Sequence, residues 1–159
     1  MENYFNLSRY KELLELEEKD EISSWDRELL SYRASVANQI IYSRKKDYFI
    51  LIDEYLTQAI IPDDFRLKFL EMEKDDSSKA LLILENFQKL EVFTIVKDLE
   101  KFSDLIDEIS TLCLEFYEVW DGTIDPMPES EFYSLINNYY LQLQEAFSIG
   151  NFNTQILYK

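Results

Sequence analysis

The 159-residue chain has no histidine, one cysteine, two glycines and three prolines. Each shortage removes a class of chemistry. Without histidine there is no side chain that ordinarily titrates near neutral pH to act as a general base. There is also no imidazole ligand for zinc or for a ferritin-like di-iron centre. The lone Cys113 excludes an internal disulfide framework and a multi-cysteine metal site, and its place among apolar residues marks it as a buried small hydrophobe. Gly122 and Gly150 cannot build a glycine-rich phosphate loop, and no Ser-His pair or Gly-x-Ser-x-Gly is present. No stretch of 18 apolar residues occurs and the N-terminus lacks a signal-peptide pattern, so a soluble, cytoplasmic chain is expected. So few glycines and prolines leave little room for tight turns and favour long helices over many short strands.

What is present points to a packed helical protein. Hydrophobic residues make up 47% of the chain and aromatics 15%, too many for a disordered acidic tail. A chain of this length is expected to form one domain with a real core. The formal net charge is -16. That charge repels phosphate backbones and anionic lipid, so neither nucleic acid nor membrane is an expected partner, and it steers basic proteins inward.

Read in order, the chain suggests an all-α, compact antiparallel bundle of five to seven helices. A short helix falls within residues 1–22. Ser23 or Ser24 can cap a second, whose apolar side is Trp25, Leu29, Tyr32, Val36, Ile40 and Ile41. Ser43-Arg44-Lys45-Lys46 reads as its exposed end. Asp47 can cap a third helix running through Ile60, which Pro62 stops while opening a fourth. Lys74 to Ser78 reads as a loop, followed by a helix to Leu90 with Leu81, Leu84, Phe87 and Leu90 inward. Val92 to Val96 is rich in strand-forming residues but has no evident partner strand, so a packed link is expected. In outline, residues 1–46 form an N-terminal helical extension, 47–147 a bundle, and 148–159 a docked tail.

The stretch from Phe102 to Phe147 organises the rest. Phe102, Leu105, Ile106, Ile109, Leu112, Cys113, Phe116 and Trp120 follow the i, i+3, i+4 rhythm of a helix with one buried face, with Ser103 as a possible cap. Asp121 to Pro128 breaks the pattern. Phe132, Leu135, Ile136, Tyr139, Leu143 and Phe147 then form a second stripe. No lysine or arginine occurs between Phe102 and Tyr158. Asp104, Asp107, Glu108, Glu115 and Glu118 lie opposite the first stripe, facing water. Carboxylates in one row on one helix do not converge as a magnesium site requires, so magnesium-dependent nucleotide hydrolysis is only a third reading. The expectation is a non-enzymatic protein with no cofactor and no metal. Tyr117, Tyr133, Tyr139 and Tyr140 lie beside the acids. Aromatics anchor and acids steer, so this hairpin suits a basic protein partner.

These residues also carry a resemblance. Leu51-Ile52-x-x-Tyr55-Leu56, Ile60-Ile61-Pro62-x-x-Phe65-x-x-x-Phe69-Leu70, Leu105-Ile106-Asp107-Glu108 with Phe116, and Pro128-Glu129-Ser130-Glu131-Phe132 with Ile136 together resemble the colicin-D-type bacterial immunity proteins, over roughly residues 48–147. The resemblance implies a small acidic helical bundle that covers the basic catalytic cleft of a tRNA-cleaving toxin domain. Family members are typically shorter, with no counterpart to residues 1–46. By this likeness the partner-binding residues are Asp104, Asp107, Glu108, Glu115, Tyr117, Glu118, Asp121 and Asp125. The alternative function is a non-catalytic adaptor docking through the same acidic, tyrosine-rich hairpin.

Overall fold

Helical periodicity dominates the sequence, and the fold follows it. The computed structural model describes residues 3–118 and 127–147, apart from the side chains of Tyr117 and Glu118. Among these residues there are seven helices and no strand: α1 (Leu7–Glu18), α2 (Arg27–Ser43), α3 (Lys45–Leu56), α4 (Pro62–Leu84), α5 (Phe87–Glu91), α6 (Glu100–Glu118) and α7 (Glu129–Ala146). The protein is all-α, as the scarcity of turn residues predicts. The chain divides into two compact units, Met1–Tyr42 with Asp75–Leu99, and Ser43–Lys74 with Glu100–Lys159. The grouping is interleaved, so residues 75–99 pack with the N-terminal segment. The expected docked tail, 148–159, lies outside the described residues.

The first unit closes around Phe5, Tyr10, Leu13, Leu29, Val36, Ala80 and Leu90. The Phe5 ring meets Tyr10, Tyr32 and Phe93 edge-on, with centroids 5.3, 5.3 and 6.5 Å away. Arg9 ties α1 to α2 through a forked pair with Glu28 at 2.8 and 2.7 Å. The strand-like residues 92–96 find a partial partner. Tyr4 and Thr94 form one isolated antiparallel bridge, with Phe5 N–H donating to Phe93 O at 2.8 Å and Ile95 N–H to Asn3 O at 2.7 Å. Gln39 completes the link from α2. Its Nε2 donates to Thr94 O at 2.7 Å and its Oε1 accepts from Val96 N–H at 3.0 Å, the pairing a second strand would supply.

The second unit holds the predicted hairpin. Phe102 meets Phe147, Glu108 meets Tyr139, and Phe116 stacks on Phe132 at 4.3 Å. As one partner advances the other retreats, so α6 and α7 run antiparallel. The same logic sets α3 antiparallel to α7, through Phe49–Tyr140 and Tyr55–Tyr133, and to the first turns of α4, through Tyr48–Phe69 and Tyr55–Phe65. Phe65, Phe69, Phe102, Ile106, Ile109, Cys113, Phe132, Ile136 and Leu143 are fully buried between these helices. Each such side chain contributes about 1.5–3 kcal/mol by leaving water.

Several local expectations are corrected. Trp25 precedes α2 and is 79% exposed. Asp26, not a serine, caps α2, its Oδ2 accepting from Leu29 N–H at 3.1 Å. Arg44, Lys45 and Lys46 do not end α2; they open α3, where Arg44 pairs with Asp47 at 3.5 Å. The helix α4 runs straight through the expected loop at Lys74 to Ser78. Asp76 and Ala80 are buried at 1% and 3%, so tertiary packing overrides the weak helix preference of Asp-Asp-Ser-Ser. Leu81 is 56% exposed rather than inward, and Phe87, 40% exposed, carries the Lys11 ammonium 4.9 Å above its ring. Ser103 lies inside α6, not at its cap. It is buried, and its hydroxyl makes no hydrogen bond among the described residues.

The end of α3 is closed both locally and from across the unit. The helix stops at Leu56, before Ile60. Ala59 N–H donates back to Glu54 O at 2.8 Å and Gln58 N–H to Tyr55 O at 2.9 Å, a Schellman closure. Gln58 takes the left-handed position, φ 64°, that glycine ordinarily fills, at a cost of about 1 kcal/mol or more. Tyr133 on α7 donates its hydroxyl to Leu56 O at 2.6 Å, so a carbonyl that the helix end would orphan is satisfied by a distant side chain.

Candidate acidic interface on α6

An α-helix advances about 100° per residue. Asp104, Glu108 and Glu115 therefore project within about 40° of one another, with Asp107 about 60° to one side. All four are exposed, and Phe102, Leu105, Ile106, Ile109, Leu112 and Cys113 on the opposite face are buried. The side chains of Tyr117 and Glu118, and Asp121 and Asp125 altogether, lie outside the described residues. Of the eight sequence-expected binding residues, the structure thus places four and brings those four together on one helix.

The row has two flanks. On one side Tyr139 of α7 donates its hydroxyl to Glu108 Oε2 at 3.2 Å. Burial first, then the adjacent Glu108 charge, pushes the Tyr139 phenol above its ordinary range, so it stays a donor. On the other side stands Glu73 of α4, which sequence reasoning missed. The Ser110 hydroxyl donates to Glu73 Oε2, and Ser110 is buried. Asp107 also lies close enough to Glu73 to share a proton with it when one of the two is protonated. Partial burial, and then the negative charge of Asp104, push the Asp107 carboxyl above its ordinary 3.8, with Glu108 adding to the shift and the proximity of Glu73 opposing it. Asp107 is consequently less freely solvated than a simple opposite-face reading implies. Glu73 escaped notice because the expected loop began beside it. The signal lay in Phe65, Phe69, Asp76 and Ala80, which keep one helical register through that loop.

Chemically, the arrangement offers carboxylates on a helix whose opposite face is apolar and buried. Among the described residues, no three carboxylate, cysteine or histidine groups come together to hold a metal ion. Cys113 is fully buried, and burial raises its thiol to about 12, so no thiolate nucleophile is available. Exposed Leu114 on α6 and Leu141 on α7 add apolar area to the same two helices. No helix among the described residues is long and apolar enough to cross a membrane. No protein-family model, curated protein or solved structure matches the chain.

Proposed function

We propose that this chain is a non-catalytic acidic binding protein of the immunity type, which occupies and blocks the basic substrate cleft of a toxin nuclease acting on tRNA. The observation that carries this reading is the alignment of Asp104, Asp107, Glu108 and Glu115 on the exposed face of α6, in a stretch with no lysine or arginine from residue 103 to residue 157. A nuclease must present cations to tRNA phosphates. A fixed row of carboxylates satisfies those cations, excludes the substrate and accelerates encounter by long-range attraction. The resemblance to colicin-D-type immunity proteins supports the same reading. Cytoplasmic residence follows from it, because an inhibitor of a tRNA-cleaving toxin must meet its target where tRNA is.

The test is titration calorimetry against a panel of basic tRNA-cleaving toxin domains. Binding to one of them should weaken markedly as the Debye length falls from about 30 Å to about 8 Å with added salt. The triple variant Asp107→Lys, Glu108→Lys, Glu115→Lys should abolish that binding while leaving the far-ultraviolet circular dichroism unchanged. An unchanged affinity in the triple variant, or salt-insensitive binding, removes the α6 row from the mechanism and favours an aromatic docking adaptor instead.

A further inference from the structure

A second feature of the same unit stands apart from the α6 row. The turn after α3, the start of α4 and the first turns of α7 enclose an open cleft of about 630 Å³. Tyr55 and Tyr133 give it aromatic walls, Ile61 and Pro62 an aliphatic rim, and Glu129 and Gln58 polar groups. Ile61 is 61% exposed, although it is a large apolar residue at the mouth. Two further observations mark the cleft as a place for a ligand. Tyr55 is 97% buried (3% exposed), lines the cleft, and its hydroxyl makes no hydrogen bond among the described residues. Gln58 holds the left-handed backbone position without being glycine. Orphaned polar atoms and strained backbone persist where surrounding structure or a ligand compensates them.

Charge decides which ligand fits. The N-terminus of α7 would ordinarily suit an anion, but Glu129 and Glu131 already occupy its first turn. No lysine or arginine lines the cleft among the described residues. An anionic or purely apolar ligand would leave the Glu129 carboxylate facing it uncompensated. A planar cation suits every wall: it pairs with a carboxylate through two N–H groups, stacks on a tyrosine face, and lays its methylenes along isoleucine and proline. We infer that this cleft receives an arginine side chain of a basic protein partner, gripped between Glu129 and the Tyr133 ring above Ile61, with the unpaired Tyr55 hydroxyl as a further polar contact. The volume exceeds that of one side chain, leaving space for the flanking partner backbone. The identity of the partner rests on the proposed function; the arginine specificity does not.

The experiment separates the two. N-acetyl-L-arginine amide is titrated into the full chain and followed by amide chemical shifts. Saturable shifts are expected at Gln58, Ile61, Glu129 and Tyr133. The neutral isostere N-acetyl-citrulline amide should produce none. Glu129→Gln should weaken arginine binding about tenfold or more, and Tyr55→Phe about threefold or more. Both substitutions are near-isosteric, and retained shift dispersion verifies the fold. The α6 triple variant should bind the arginine probe as the natural chain does. Absence of saturable shifts, equal binding of citrulline or of the lysine analogue, or indifference to Glu129→Gln overturns the arginine site. Loss of toxin binding with the probe site intact, or the reverse, shows which of the two readings has failed.

Discussion

Removing one oxygen atom from Tyr55 should make the protein more stable. The ring is stacked on Phe65 with centroids 4.7 Å apart, and lies 5.6 and 5.7 Å from Phe132 and Tyr133. Tyr55→Phe keeps all of these contacts. What it removes is a buried hydroxyl with no hydrogen bond among the described residues. An unsatisfied buried polar group costs about 1–3 kcal/mol. The void left by one oxygen returns part of that, at about 24 cal/mol per Å³ of cavity. The net expectation is a gain of about 1 kcal/mol. With a urea slope of about 1–3 kcal/mol per molar, the unfolding midpoint at pH 7 should rise by about 0.3–1 M. An alkaline arm sharpens the test. Burial first, then Glu129 and Tyr133, raises the Tyr55 phenol from 10.0 to about 12. A group whose pKa rises on folding stabilises the native state below its unfolded value and loses that contribution as pH climbs through the native one. The natural chain should therefore lose ground to Tyr55→Phe between pH 10 and about 12. A fall in the midpoint at pH 7, by half a molar or more, would show that the hydroxyl has a native partner and would sink the reasoning. Coupled with weaker arginine binding, greater stability in this variant would mark Tyr55 as a residue kept for function at a cost to the fold.

Two further outcomes concern the same unit. The Asp107 carboxyl is raised on folding by partial burial and by Asp104, so its protonation favours the native state; this contribution is present at acid pH and lost as pH rises through its native value. Asp107→Asn should stabilise the chain at pH 7 by about 0.5 kcal/mol, the scale of like-charge pairs on helices, and flatten the acid limb of its stability curve; thermal melts from pH 4 to 7 measure both. Cys113 should resist a thiol-reactive disulfide reagent under native conditions and react stoichiometrically in denaturant, because it is fully buried and its thiol is raised to about 12. Rapid labelling of the native chain would contradict that burial.

The sequence made the α6–α7 hairpin legible because both helices carry uninterrupted apolar stripes at helical spacing, and stripe and acid row segregate cleanly. It misled where side chains with strong local habits are overruled by packing. Asp75, Asp76, Ser77 and Ser78 read as a loop, yet α4 continues because Asp76 and Ala80 turn inward. Ser103 read as a cap and lies buried inside its helix, and Trp25 read as core and stands in solvent. The acid row was visible from spacing alone. Its neighbour Glu73 and the cleft by Tyr55 were not, because each is assembled from helices distant in sequence. Tyr133 reaching the Leu56 carbonyl at the end of α3 has no local signature at all.

The interleaved make-up of the first unit has a consequence for how the chain is born. Its opening helices carry Leu13, Leu29 and Val36, but the residues that seal them from water, Ala80 and Leu90, belong to Asp75–Leu99. A ribosome adding about 5–20 residues per second needs roughly 3–11 s to go from Tyr42 to Leu99. Throughout that wait the nascent N-terminal helices hold greasy surface open, while the intervening segment emerges between them and their missing half. Chaperone contact during synthesis should concentrate in that interval, and slow codons within it would prolong the exposure.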